Sequence, residues 1–158
     1  MRNPSTVLAI ALATCMALPA YAQQRIGKAT SVKPQAQGTV AGELAPDSDV
    51  HAAETVNTGA TGQANLQFLD RTMLSVGPMS TVRLDKFVYD PNKATGTVVV
   101  NATRGAYRFV TGVQDSRSYT IKTPYATLGV RGTVLEVVIQ EPVRAGRPPG
   151  TRKTRVPR

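Results

Sequence analysis

Tryptophan is missing from this chain of 158 residues, and cysteine and histidine occur once each, as Cys15 and His51. A single thiol excludes an internal disulfide and any cysteine-rich metal centre. A lone histidine leaves a metal site dependent on Asp or Glu brought in from elsewhere, and no second ligand lies near His51 in sequence. The acidic residues are scattered as singles, so a paired-carboxylate glycosidase would need distant residues joined by folding. A serine nucleophile elbow is absent, and so is a phosphate loop: Gly129-Val-Arg-Gly-Thr133 lacks the full glycine spacing and the terminal lysine. These absences point away from an enzyme and away from a bound cofactor or metal.

Long apolar runs are equally scarce. The one candidate, Val7 to Leu18, is interrupted by Thr14 and followed by Pro19, which is too short and too broken for a membrane span. With Arg2 before it and Ala20-Tyr-Ala22 after it, the stretch reads as a secretory signal peptide, residues 1–22, cleaved before Gln23. A rival reading takes Leu12-Ala-Thr-Cys15 as a lipoprotein anchor, but Thr14 is larger than the residue such a site prefers. Cleavage at Ala22 leaves a mature chain without a thiol and without a transmembrane segment, placed in the periplasm or secreted. Its 136 residues are enough to bury a core without covalent staples.

The formal charge of +9 is unevenly spread. The last eighteen residues hold six basic residues against Glu141, whereas Gln23 to Gln140 holds twelve basic and nine acidic ones. The body is an ordinary surface, so no specific nucleic-acid partner is expected of it. The segment 141–158, with Pro142, Pro148, Pro149 and Pro157, is read as a disordered basic tail, open to non-specific contact with anionic lipid or nucleic acid.

What the chain does contain is alternation. Ala64, Leu66 and Phe68 alternate with polar residues, as do Leu74 and Val76, then Val82 and Leu84; Phe87 and Tyr89 continue in the opposite phase. Val98, Val99 and Val100 are β-branched and suit a pleated surface. Tyr107 and Phe109 share a face from which Arg108 points away. From Tyr119 to Ile139 the apolar set runs Tyr119, Ile121, Ala126, Leu128 and Val130, then shifts phase to Leu135, Val137 and Ile139. Holding both sets on one core needs a bulge or corner at Gly129 to Gly132, with the two glycines supplying conformational freedom. Pro124 marks a strand break. Gln23 to Gln37 is thinly apolar and reads as a flexible leader with at most one short strand; Val50 to Thr58 reads as one strand. The expectation is a single all-β domain over 38–140, built of short strands as a sandwich or as a roll or solenoid.

Five segments in order resemble the FecR domain: Val56-Asn-Thr-Gly59, Ala64-Asn-Leu-Gln-Phe-Leu-Asp70, Leu74 to Leu84, Arg104-Gly-Ala-Tyr-Arg-Phe109 and Thr123-Pro-Tyr-Ala-Thr-Leu-Gly-Val-Arg-Gly-Thr133. The resemblance implies a non-enzymatic, extracytoplasmic ligand- or protein-interaction module, with an envelope protein as partner. In the last motif Thr123, Pro124, Gly129, Arg131, Gly132 and Thr133 are the fold-defining residues. The family commonly has Gly after the Asp of its central turn, where this chain has Arg71. The family also runs on into further strands after the last motif, whereas this chain turns basic and stops, so the tail is read either as a contact segment or as the result of a shortened frame.

Two side-chain groups carry alternative roles. Arg131 between glycines either cradles an anion or pairs with Glu136 or Asp85 to stiffen the corner. Tyr107, Phe109 and Arg131 form the possible contact surface, with the aromatic pair either a stripe for a sugar or peptide or simply core. A carbohydrate- or surface-binding module of the envelope is the alternative function.

Overall fold

The structure is a computed structural model that describes residues 23–93 and 95–140. The signal-peptide reading of residues 1–22 and the tail reading of 141–158 lie outside the described residues. The described residues form twelve strands: β1 Arg25–Lys33, β2 Ala36–Gly38, β3 Gly42–Glu43, β4 Asp49–His51, β5 Thr55–Thr58, β6 Gln63–Phe68, β7 Met73–Val76, β8 Thr81–Asp90, β9 Thr95–Val110, β10 Tyr119–Lys122, β11 Thr127–Gly129 and β12 Val134–Ile139. One 3₁₀ turn, Ser116–Ser118, precedes β10.

The all-β expectation holds, in a form between the alternatives. All twelve strands belong to one curled sheet that runs β3-β2-β5-β8-β9-β7-β6-β1-β4, with β10 and β12 also paired to β9. The long strand β9 is the spine. Its first part pairs with β8 and, in parallel, with β10; its last part pairs with β7 and β12. The sheet therefore has two halves, one holding β2, β3, β5, β8, β10 and β11 and the other β1, β4, β6, β7 and β12. The concave side holds the core: Leu66, Phe68, Leu74 and Phe109 from the second half face Val82, Phe87, Val98 and Ile121 from the first, all buried. Two aromatic contacts cross between the halves, Phe68 with Phe87 and Phe109 with Tyr119, each with ring centroids 5.7 Å apart.

Alternation places these residues as expected. The phase change between Leu84 and Phe87 is a bulge: the β8–β9 register shifts between Arg83 and Lys86. The expected phase change after Gly132 is also present, with Leu128 and Val130 inward on one side and Leu135, Val137 and Ile139 on the other. Ala126 departs from its expected set and is exposed, because it closes the hairpin turn.

Two stretches are corrected. The flexible leader is instead the nine-residue strand β1, paired with β4 and β6. Register shifts between Arg25 and Gly27 and between Ala29 and Ser31 put Ile26, Ala29 and Val32 three residues apart, so no period of two shows in the sequence. The single strand expected over Val50 to Thr58 is two, β4 and β5, split by a turn in which Ala53 has φ 60°.

Candidate functional site

The described residues hold two fully buried carboxylates, Glu54 committed to backbone amides and Asp70 to backbone and side-chain donors. Glu54 Oε1 accepts from the amides of Ala41 (2.9 Å) and Val40 (3.2 Å), and Oε2 accepts from the His51 amide (2.8 Å). A buried carboxylate that accepts several N–H bonds acts as a brace for the loops that supply them. His51 Nδ1 lies 3.6 Å from Glu54 Oε2, so the histidine neighbours one carboxylate and not a pair. Among the described residues no group of three His, Cys, Asp or Glu side chains stands close enough to hold a metal ion.

Asp70 braces the second crossing. Its Oδ1 accepts from the Thr72 amide (3.0 Å), and Oδ2 accepts from the Thr72 hydroxyl (2.7 Å), Gln114 Nε2 (2.7 Å) and the Tyr119 hydroxyl (3.1 Å). The Tyr119 oxygen in turn accepts from the amides of Gly112 and Gln114. Burial pushes the Tyr119 phenol above its usual range, and the Asp70 charge adds to that. The network ties the β6–β7 turn to the link between β9 and β10. Sequence pattern alone could not reveal it, because Asp70 lies 44 and 49 residues from Gln114 and Tyr119.

The expected contact surface divides. Tyr107 and Phe109 are 6% and 1% exposed, so the aromatic pair is part of the core. The reason is that β9 turns their face inward; Tyr107 also anchors β8, accepting from the Thr81 amide (3.0 Å) and sharing its one hydroxyl proton between the carbonyl oxygens of Thr81 and Arg104. Burial raises its phenol above the usual range too. Arg131 is exposed. The partners expected for it are taken: Glu136 lies 3.7 Å from Arg108 and Asp85 lies 3.2 Å from Arg83.

The motif from Thr123 to Thr133 forms the β10–β11 hairpin and the corner beyond it. The Thr123 hydroxyl accepts from the amides of Ala126 (3.0 Å) and Tyr125 (3.3 Å), while the Thr123 amide donates to the Ala126 carbonyl (2.8 Å). Pro124 sits in the second position of this four-residue turn, where its fixed φ fits. At the tip Tyr125 is 66% exposed. The corner itself is held by Thr111, whose amide donates to the Thr133 carbonyl (3.0 Å) and whose hydroxyl donates to that of Gly132 (3.2 Å).

Glycine freedom is not what makes the corner. Neither Gly129 nor Gly132 has positive φ, and a Cβ on either would meet nothing within 4 Å. Conformational freedom is needed instead at Gly105, with φ 109°, where β9 passes from one half of the sheet to the other and where a Cβ would overlap Ser80. The bend lies where the change of phase predicts it, but the conformational freedom expected of Gly129 and Gly132 is not used there.

The family model described as FecR protein matches residues 54–145, more than half of the chain, and the chain belongs to that family. The family is a sensory and regulatory one associated with the envelope. Strands β1 to β4 extend the sheet upstream of the matched region. Neither the curated proteins nor the solved structures contain a match.

Proposed function

We propose that the protein is a non-enzymatic sensory or protein-interaction module, exported by its N-terminal segment to the periplasm or beyond, that meets an envelope protein through the β10–β11 hairpin. The observation that carries this reading is the match to the FecR family together with the place of that family's last motif. The motif lies on the surface, with Tyr125, Thr127, Gly129 and Arg131 exposed, while the buried carboxylates Glu54 and Asp70 are spent on holding the fold. A hairpin whose turn is fixed by Thr123 and Pro124 offers a rigid edge at little entropic cost on binding.

The test is in-cell crosslinking from a photoreactive residue replacing Tyr125, with a second placement at Lys28 on β1 as control. A discrete adduct with an envelope protein from position 125 and not from position 28 is expected. Equal adducts from both positions, or none, would count against the hairpin as the contact. Mass spectrometry of the periplasmic fraction should find a mature terminus at Gln23; recovery solely as a Cys15-lipidated form would contradict release from the membrane.

A further inference from the structure

We propose that the convex face of β8, β9, β10 and β11 binds an anionic polysaccharide. Ladder register puts one set of residues side by side on this face. Arg83 is opposite Asn101, which is level with Lys122 and Thr127; in the next row Lys86, Val99, Thr120 and Gly129 stand in line. Continuing the β10–β11 register past Val130, whose amide donates to the Tyr119 carbonyl, brings Arg131 beside Ser118 and close to Arg117. Arg117 and Arg131 line the same cleft with Ser116 and Thr120.

Positive charge predominates on this face, although Asp90 shares it with Lys93 at 3.9 Å and the Asp115 carboxylate accepts from the Arg117 amide (2.8 Å). Among the described residues Lys86, Arg117, Lys122 and Arg131 have no carboxylate within ion-pair distance; Lys28, Lys33 and Arg71 on the other half are also without one, but the ladder register gathers the first four on adjoining strands. Asp85 is occupied by Arg83. Four strands at the usual spacing span roughly 15 Å, so the cations form a patch that an extended polyanion can follow and a single small ion cannot fill. Between them Asn101, Thr120 and Thr127 offer amide and hydroxyl groups suited to a chain that carries hydroxyls as well as carboxylates.

The same face argues against two other polyanions. Single-stranded nucleic acid needs successive aromatic platforms, and Tyr125 is the exposed aromatic at hand. An anionic bilayer favours several apolar side chains that insert beside the cations, and here the outward valines of β8 and β9 are Val88, 48% exposed, and the half-buried Val99. Tyr125 at the hairpin tip can instead stack on one sugar ring. Such binding would hold whether or not the hairpin also meets a protein partner.

The test uses the full chain with polygalacturonate as probe, neutral dextran as its uncharged counterpart, and anionic vesicles and a single-stranded oligonucleotide as competitors. Binding to polygalacturonate that weakens with salt is expected. The double variant Lys122→Glu/Arg131→Glu should lose about tenfold or more in affinity and have a salt slope shallower by about two. The neutral variant Lys122→Gln/Arg131→Gln, with its melting temperature compared to wild type, covers the case in which charge reversal impairs folding; it should show a smaller loss in the same direction. Because the tail is basic as well, Arg152→Glu/Lys153→Glu is measured in parallel. Unchanged affinity in both face variants, loss confined to the tail variant, equal binding to dextran, or tighter binding to vesicles or oligonucleotide would each overturn the proposal.

Discussion

The Tyr119 hydroxyl donates to the buried Asp70 carboxylate at 3.1 Å, across 49 residues of sequence. Through that bond the turn after β6 holds the entry to β10, and hence the base of the exposed hairpin. Replacing Tyr119 with Phe leaves Asp70 short of a donor and leaves the amides of Gly112 and Gln114 without the phenol oxygen. A loss of about 1–3 kcal/mol is expected, read as a lower urea midpoint with unchanged slope.

The same residue sets an alkaline limit. Burial raises the folded Tyr119 phenol above its usual value, so above about pH 10 the unfolded chain releases its proton first. The stabilisation is complete below that pH and is lost as pH rises through the folded value. Unfolding free energy measured from pH 9 upward should therefore fall for the wild type, and fall less steeply for Tyr119→Phe. Part of the slope persists in the variant because Tyr107 is shifted in the same direction.

Arg71 occupies a conformation that favours glycine. Its φ is 65° and its amide donates to the Phe68 carbonyl (3.0 Å), the arrangement of a turn followed by a left-handed residue. Arg71→Gly should stabilise the protein by roughly 0.5–1 kcal/mol, and Arg71→Val should destabilise it by a similar amount or more. A decrease in melting temperature for the glycine variant would show that the Arg71 side chain contributes more than its backbone strain costs.

Gly105 and Gly129 differ in what an added methyl would meet. Gly105→Ala should cost about 2 kcal/mol or more, since it meets both a positive φ and Ser80. Gly129→Ala should change stability by no more than about 0.5 kcal/mol, since the added methyl enters open space. Thermal unfolding of the pair in one buffer decides between them.

Glu54→Gln keeps the shape of the buried brace but removes its charge and turns one acceptor into a donor. The amides of Val40, Ala41 and His51 converge on the two oxygens, so at least one then faces an N–H group. A loss of roughly 1–3 kcal/mol is expected, accompanied by faster hydrogen exchange at those three amides.

Strand content was legible wherever apolar residues alternate without interruption, as in Ala64 to Phe68 and Val82 to Leu84. It was hidden in β1, where two register shifts change the spacing of Ile26, Ala29 and Val32 from two to three. The hairpin motif was legible as local chemistry, since a Thr-Pro turn is encoded in adjacent residues. Its display on the surface was not, because Tyr107 and Tyr119 resemble any aromatic at strand spacing until the sheet curls and shows which side is concave. The anchoring of buried carboxylates was also beyond reach, because Asp70 depends on Gln114 and Tyr119, and sequence offers no sign of that meeting.

Crosslinking in cells from position 125, carried out in an Arg131→Glu background and in a Lys28→Glu background, tests most directly whether the hairpin is the contact and the rest of the sheet its support. The adduct should disappear with Arg131→Glu and persist with Lys28→Glu, while both variants keep the wild-type unfolding midpoint. An adduct that survives Arg131→Glu, or that is lost equally in both backgrounds, would contradict that division of labour.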